Sequence, residues 1–137
     1  MRDLLILLIS LKQLIKQYHW FANGYASHIF ADRLEEGLES EIDELAELIL
    51  AVDESANLNA DYLLREAAQK VIASGQRPDT KVLLQNIANT CGTILELAKN
   101  NKVTNPMVEL AFNDYLGRLS NSLVRKLYLI QLQFNKE

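Results

Sequence analysis

Apolar residues recur three and four positions apart along almost the whole chain, and this spacing constrains the fold more than any other feature. An α-helix has about 3.6 residues per turn, so residues at these intervals form one continuous apolar face. Strands would show a two-residue alternation rich in β-branched residues, which this sequence lacks. Only five glycines and two prolines interrupt the pattern. The sequence therefore predicts an all-α protein.

Turn residues divide the pattern into four long helices and one short helix. We predict long helices over about 2–21, 26–52, 80–100 and 106–134, and a short helix over about 60–73. Asn23 and Gly24 follow the first helix, Gly75 and Pro78 follow the short one, and Pro106 suits the first turn of the last. Two helical hairpins joined by a long connection with an extra short helix indicate a ferritin-like four-helix bundle.

Length, charge and composition narrow the classes of function. With 137 residues, 49% of them hydrophobic, the chain is expected to form one domain over residues 1–137. Its net charge is −4 and it has no basic arm, so we do not expect DNA binding. No apolar run approaches the roughly 20 residues that cross a bilayer, and MRDLLILLISLKQLIKQ lacks the cleavage pattern of a secretion signal. Cys91, the single cysteine, lies in an apolar helical pattern, which favours a buried thiol and a reducing, cytoplasmic setting.

Two pairs of potential metal ligands lie on the predicted second helix. His28 and Asp32 are four residues apart, and so are Asp43 and Glu47, so each pair shares one helix face. The step from Asp32 to Asp43 is about three turns plus roughly 20°, which places both pairs on one stripe. At about 1.5 Å per residue, however, the pairs stand roughly 16 Å apart. One chain alone cannot close a small metal site from both pairs.

Two copies of this helix, packed antiparallel about a two-fold axis, would close the site. Each copy would then set its first pair beside the second pair of the other copy. The midpoint of the two pairs falls between Gly37 and Leu38, where a glycine lets two backbones approach closely. The alternative is a site within one chain, which ferritin-like di-metal proteins build from Glu-x-x-His pairs on several helices. This chain has no histidine after His28, so the intersubunit site is favoured.

These residues resemble a motif of the Dps-type mini-ferritins. The shared pattern is a His-Trp pair at the end of the first helix, here His19-Trp20, then a glycine turn, His-x3-Asp, and later Asp-x3-Glu, here within EIDELAEL. The resemblance in motif covers about residues 18–50. The turn between His19 and His28 is shorter than in the family, and the chain lacks the lysine-rich tail with which some members bind DNA.

The resemblance implies an iron site at a two-fold dimer interface. By this resemblance both subunits provide ligands: His19, His28 and Asp32 from one, and Asp43 and Glu47 from the other. In the family this site is a ferroxidase centre, at which hydrogen peroxide or oxygen oxidises Fe²⁺. The resemblance further implies storage of Fe³⁺ inside a dodecameric shell, which protects against oxidative damage.

Simpler interpretations stay open for several of these residues. Asp43 and Glu47 could belong to an ordinary solvated helix face. Trp20, which the resemblance places beside the iron, could instead fill a core or an interface. Three nearby acids could nucleate ferric mineral or be exposed helix charges: Glu35, Glu36 and Glu39. The alternative function is that of a helical dimeric interaction or architectural protein with a vestigial metal site.

Overall fold

A computed structural model describes residues 1–71 and 76–137, and these residues form six α-helices and no strand. The helices are α1 (Arg2–Phe21), α2 (Tyr25–Glu35), α3 (Leu38–Val52), α4 (Ala60–Lys70), α5 (Thr80–Asn100) and α6 (Pro106–Phe134). The all-α prediction is confirmed, and the predicted bounds of α1, α5 and α6 match the structure. The predicted end of the short helix at Ala73 and the turn residue Gly75 lie outside the described residues.

The prediction of one continuous helix over 26–52 is wrong. The helix ends at Glu35 and a new one begins at Leu38. Between them Glu36 has φ −52° and ψ 127°, and Gly37 has φ 81° and ψ −13°, which are the angles of a type II turn. The second central residue of such a turn needs positive φ, which glycine adopts without steric cost. Gly37 is therefore required for its backbone conformation, and the single stripe through Asp32 and Asp43 is interrupted.

Helix α1 is the centre of the packing. It contacts α2, α3, α4 and α5, while α6 packs against α3 and α5. The apolar face predicted for α1 is confirmed, because its four members are fully buried: Leu4, Leu8, Leu11 and Ile15. Burial of each such side chain contributes about 1.5–3 kcal/mol. The resulting core extends along the molecule and includes the Cys91 thiol, which is buried as predicted.

The two long C-terminal helices begin at side-chain caps. Asp79 accepts hydrogen bonds from the backbone N–H groups of Lys81 and Val82, at 2.8 and 3.2 Å. Asn105 caps α6 in the same way, and Pro106 follows it in the first turn. Such caps satisfy N–H groups that have no partner inside the helix. None of the described helices has the length and apolar character needed to cross a membrane.

Candidate metal centre

A tight turn brings the last residues of α1 against the first residues of α2. Ala22 is extended, with φ −60° and ψ 136°, and Gly24 has φ 87° and ψ 159°. Positive φ at this angle favours glycine, so the turn depends on Gly24. The chain then reverses within three residues, and the first turn of α2 is closed by the hydrogen bond from His28 N–H to the Gly24 carbonyl, at 3.1 Å. This reversal places His28 beside His19.

The two histidine rings are in direct contact. Their Nε2 atoms are 2.9 Å apart, and the rings meet edge to face with centroids separated by 4.0 Å. On the other edge of its ring, His28 Nδ1 lies 3.2 Å from the carbonyl oxygen of His19. A carbonyl oxygen only accepts hydrogen bonds, so Nδ1 of His28 carries a proton.

Two carboxylates lie near the other ring nitrogen of His19. Its Nδ1 lies 3.4 Å from Asp32 Oδ1 and 3.4 Å from Glu35 Oε1. These are ion-pair distances rather than hydrogen bonds, and Glu35 Oε1 has no hydrogen-bond partner in the described part of the chain. With a proton on His28 Nδ1, the 2.9 Å contact is a hydrogen bond when His19 Nε2 donates to His28 Nε2. A metal ion between the rings would need the other tautomer of His19, in which Nε2 has a free lone pair.

Glu35 lies against the histidine pair, although the sequence analysis considered it only as a mineral-nucleating acid or an exposed helix charge. It lies three residues after Asp32 and seven after His28, which is one face of α2. That spacing could have identified it as part of the same cluster. Its side chain is half-buried, and Lys16 Nζ donates to its Oε2 at 3.1 Å. The lysine holds Glu35 in place against the His19 ring.

Acids of α2 and α3 also form ion pairs with basic residues of α1. Lys12, Lys16 and His19 follow one another at helical spacing on α1. Lys12 forms an ion pair with Glu39, next to the pair between Lys16 and Glu35. Such partly exposed pairs contribute at most about 1 kcal/mol each. Glu39 is thus an exposed, paired helix charge in the single chain.

The second predicted ligand pair lies elsewhere. Asp43 and Glu47 are exposed on α3, and neither carboxylate forms an ion pair within the described part of the chain. Within residues 1–71 and 76–137 no three His, Cys, Asp or Glu side chains converge on a common metal position. The reason is geometric, because Asp32 and Glu35 face Nδ1 of His19 while His28 faces its Nε2. In one chain Asp32 therefore orients His19, although the resemblance makes it an iron ligand.

Large apolar side chains surround the turn that carries the histidines. Trp20 is 64% exposed, Tyr25 is 80% exposed and Ile29 is 40% exposed. Trp20 is therefore not a core residue of the single chain. Exposed aromatic residues grouped in this way are typical of protein interfaces.

No family model, curated protein or solved structure matches this chain. Its chemistry must therefore be inferred from the residues themselves. The histidine cluster brings two imidazole Nε2 atoms together, with a backbone carbonyl at Nδ1 of His28 and two carboxylates 3.4 Å from Nδ1 of His19. Such outer acceptors orient metal-bound histidines and raise their basicity. The cluster resembles one half of a metal site.

Proposed function

We propose that this protein is a mini-ferritin that binds Fe²⁺ between two subunits, oxidises it and stores the Fe³⁺. In this proposal the helices form a ferritin-like four-helix bundle, and α4 is the extra helix in the central connection. Two-fold dimers assemble further into a closed dodecameric shell in the cytoplasm. The observation that carries the proposal is the His19–His28 pair, whose two Nε2 atoms lie 2.9 Å apart.

The donor chemistry supports iron as the substrate. His19 and His28 supply imidazole nitrogen, which suits divalent first-row metals. Asp43 and Glu47 of the partner subunit would add carboxylate oxygen, which Fe³⁺ prefers once it has formed. These two residues are exposed on α3 and therefore accessible to a second copy. Asp32 would orient His19 or, after rotation of its side chain, bind the iron itself.

The reaction balances with hydrogen peroxide as the oxidant. Two Fe²⁺ ions give up one electron each, and the peroxide takes both electrons together with two protons and leaves as two water molecules. Oxygen is the alternative oxidant. A metal-bound imidazole and carboxylate set favours the ferric product, because carboxylates stabilise the higher charge. Trp20 follows His19 in the sequence and is 64% exposed, so in the proposed dimer it would contact the iron site.

A second candidate function is supported by one specific observation. Among the described residues no three metal-ligating side chains converge, so one chain offers only two nitrogen donors. A helical dimer that uses the exposed Trp20, Tyr25 and Ile29 for assembly and retains a vestigial site would show the same geometry. Such a protein would form a plain dimer and leave Fe²⁺ oxidation at the background rate.

Mixing two defective variants tests the shared site directly. One variant carries His28→Ala and Asp32→Ala, and the other carries Asp43→Ala and Glu47→Ala. Each alone should oxidise Fe²⁺ poorly, because every interface site lacks one half. When the two are unfolded and refolded together, half of the dimers are mixed, and each mixed dimer has one intact site. We expect about a quarter of wild-type activity if the sites act independently.

A matched control uses wild type refolded with a chain that carries all four substitutions. A shared site predicts about a quarter of wild-type activity, since only wild-type dimers keep intact sites, whereas a site within one chain predicts about half. Circular dichroism verifies that each mixture has refolded. A mixture of the two double variants that stays at the background rate, with about half activity in the control, would contradict the intersubunit site. Background activity of the wild type itself would favour the second candidate function.

A further inference from the structure

A polar cleft lies between the α2–α3 turn and α6, and none of its lining residues belongs to the histidine cluster. Its volume is about 490 Å³, within the roughly 300–1,000 Å³ of typical small-molecule sites. Six charged side chains line it: Arg33, Glu36, Glu41, Arg118, Arg125 and Lys126. Four are basic and two are acidic, so the lining carries a net charge of +2 in a chain of net charge −4. Glu44 and Asp114 pair with Arg118 and offset part of this charge, so the cleft is a place where basic side chains converge on an acidic protein.

Lys126 forms the buried part of this lining. It is only 5% exposed, and its Nζ donates to the Glu36 carbonyl at 2.8 Å. That carbonyl is free because the helix ends at Glu35. An ammonium group has three N–H donors, and this is its one hydrogen bond within the described residues. Burial lowers the pKa of Lys126, and the nearby Glu41 carboxyl opposes that shift. A buried cation with unused donors is suited to an anionic ligand.

Two arginines face the cleft from opposite sides. Arg33 lies on α2, and its only ion pair within the described residues is a 3.8 Å contact with Glu36. Arg125 lies on α6, and its Nε donates to the Asn121 carbonyl at 3.4 Å. Arg118 already has hydrogen-bond partners, because it donates to both oxygens of Glu44 and to Asp114. Arg33 and Arg125 therefore keep N–H groups for a ligand, and guanidinium groups match the geometry of phosphate oxygens.

The remaining acid, Glu41, lines the cleft beside Lys126. Its Oε2 is buried and has no hydrogen-bond partner in the described part of the chain. Burial raises the pKa of Glu41, while a side-chain hydrogen bond with Ser122 and the charge of Lys126 act in the opposite direction. When it is ionised, Glu41 is therefore a counter-charge to Lys126, and the arginines provide the contacts for an anion.

We propose that this cleft binds a phosphate dianion, either free or as the phosphate group of a small monoester. Arg33 and Arg125 hold the phosphate oxygens from the two sides, and Lys126 contacts it from the buried end. Charge-assisted hydrogen bonds from ammonium and guanidinium groups are among the strongest polar contacts in proteins. The cavity is larger than one phosphate, which leaves room for the organic part of a monoester.

Isothermal titration calorimetry of the metal-free full chain tests the site, at constant ionic strength set with sodium chloride. Inorganic phosphate and glycerol 2-phosphate are titrated separately. We expect saturable binding, and we expect Arg33→Gln and Arg125→Gln each to weaken it about tenfold, since each removes a charge-assisted contact. Arg65→Gln is the matched control, because Arg65 is an exposed arginine with a local ion pair to Asp61, outside the cleft. It should leave the affinity unchanged.

A substitution that should tighten phosphate binding provides a second test. Glu36 is exposed and pairs with Arg33 across 3.8 Å, so Glu36→Gln should free the guanidinium and tighten binding. Tighter binding of the monoester than of free phosphate supports the site and identifies an esterified ligand. Tighter binding of free phosphate supports the site and identifies the free ion as the ligand. Absence of saturable binding with both probes would overturn the proposal. So would an equal loss in Arg65→Gln, which would show that net charge alone attracts phosphate.

Discussion

Glu41 illustrates how one buried carboxyl group makes stability depend on pH. Burial raises its pKa above the ordinary value, and its Oε2 is buried without a hydrogen-bond partner among the described residues. The folded state therefore binds the proton more tightly than the unfolded state does. For such a group the stabilising contribution is fully present below the unfolded pKa and is lost as the pH rises through the folded pKa. Above the folded pKa the ionised Glu41 thus costs stability.

Glu41→Gln should consequently stabilise the fold at pH 7 and lose this advantage in acid. Glutamine resembles the protonated carboxyl group in shape and carries no charge to desolvate. Urea unfolding of both proteins between pH 7 and pH 4 measures the difference in free energy of unfolding. Glu44→Gln is the control with the opposite sign, because hydrogen bonding to Arg118 lowers the pKa of Glu44. Glu44→Gln should be less stable than the wild type at pH 7. A gain in stability in both variants would contradict the opposite directions of the two pKa shifts.

The residues of the histidine cluster show what spacing can and cannot predict. The helical offset between His28 and Asp32 follows from the sequence, because residues four apart share a helix face. The contact between His19 and His28 depends on the backbone of the Ala22–Gly24 turn, which spacing does not report. The approach of Glu35 to His19 depends on how α1 and α2 pack and on side-chain rotamers. Spacing therefore predicts the types of candidate ligand but not which of their atoms face one another.

At the level of elements, apolar spacing predicted four of the six helices individually but merged α2 and α3 into one. Leu34 and Leu38 are four residues apart and both buried, so the pattern continues across Gly37. Spacing reports which residues face the core, whereas a break depends on φ and ψ at one or two positions. A glycine inside a helical pattern is compatible with either outcome. Only its positive φ, 81°, distinguishes a turn from a tolerated helix residue.

Gly37→Ala should destabilise the protein by about 1–2 kcal/mol, the cost of placing a residue with a Cβ at positive φ. The added Cβ would also lie 3.4 Å from Glu41 Oε1. Gly92→Ala is the matched control, since Gly92 is inside α5 and a Cβ there would meet no atom within 4 Å. That change should stabilise by up to about 1 kcal/mol. Urea unfolding measures both, and an equal gain in the two variants would indicate one continuous helix through Gly37.

For the whole molecule, the proposed metal site needs a unit larger than one chain. The histidine pair lies at one end of α2, and Asp43 and Glu47 lie on α3 beyond the turn at Gly37. Exposed Trp20 and Tyr25 flank the histidines, although aromatic residues are usually buried in a core or an interface. Contacts between copies cannot be obtained from the helical spacing of one chain, because they depend on which surfaces complement each other. The proposed dimer therefore makes a separate prediction.

Trp20→Glu combined with Tyr25→Glu should separate the subunits while each chain stays folded. Both side chains are largely exposed in the single chain, so their replacement removes little core packing. In the proposed interface they would be buried, and loss of two aromatic anchors should raise the dissociation constant at least about thirtyfold, or about 2 kcal/mol. Met107→Glu with Leu110→Glu is the matched control, because these residues are 86% and 77% exposed at the start of α6.

Light scattering measures the mass and circular dichroism the helix content. The first variant should be monomeric and helical at micromolar concentration, and the control should keep the mass of the wild type. An unchanged mass in the first variant, or a loss of mass in the control alone, would place the interface on another face and separate it from the histidine pair.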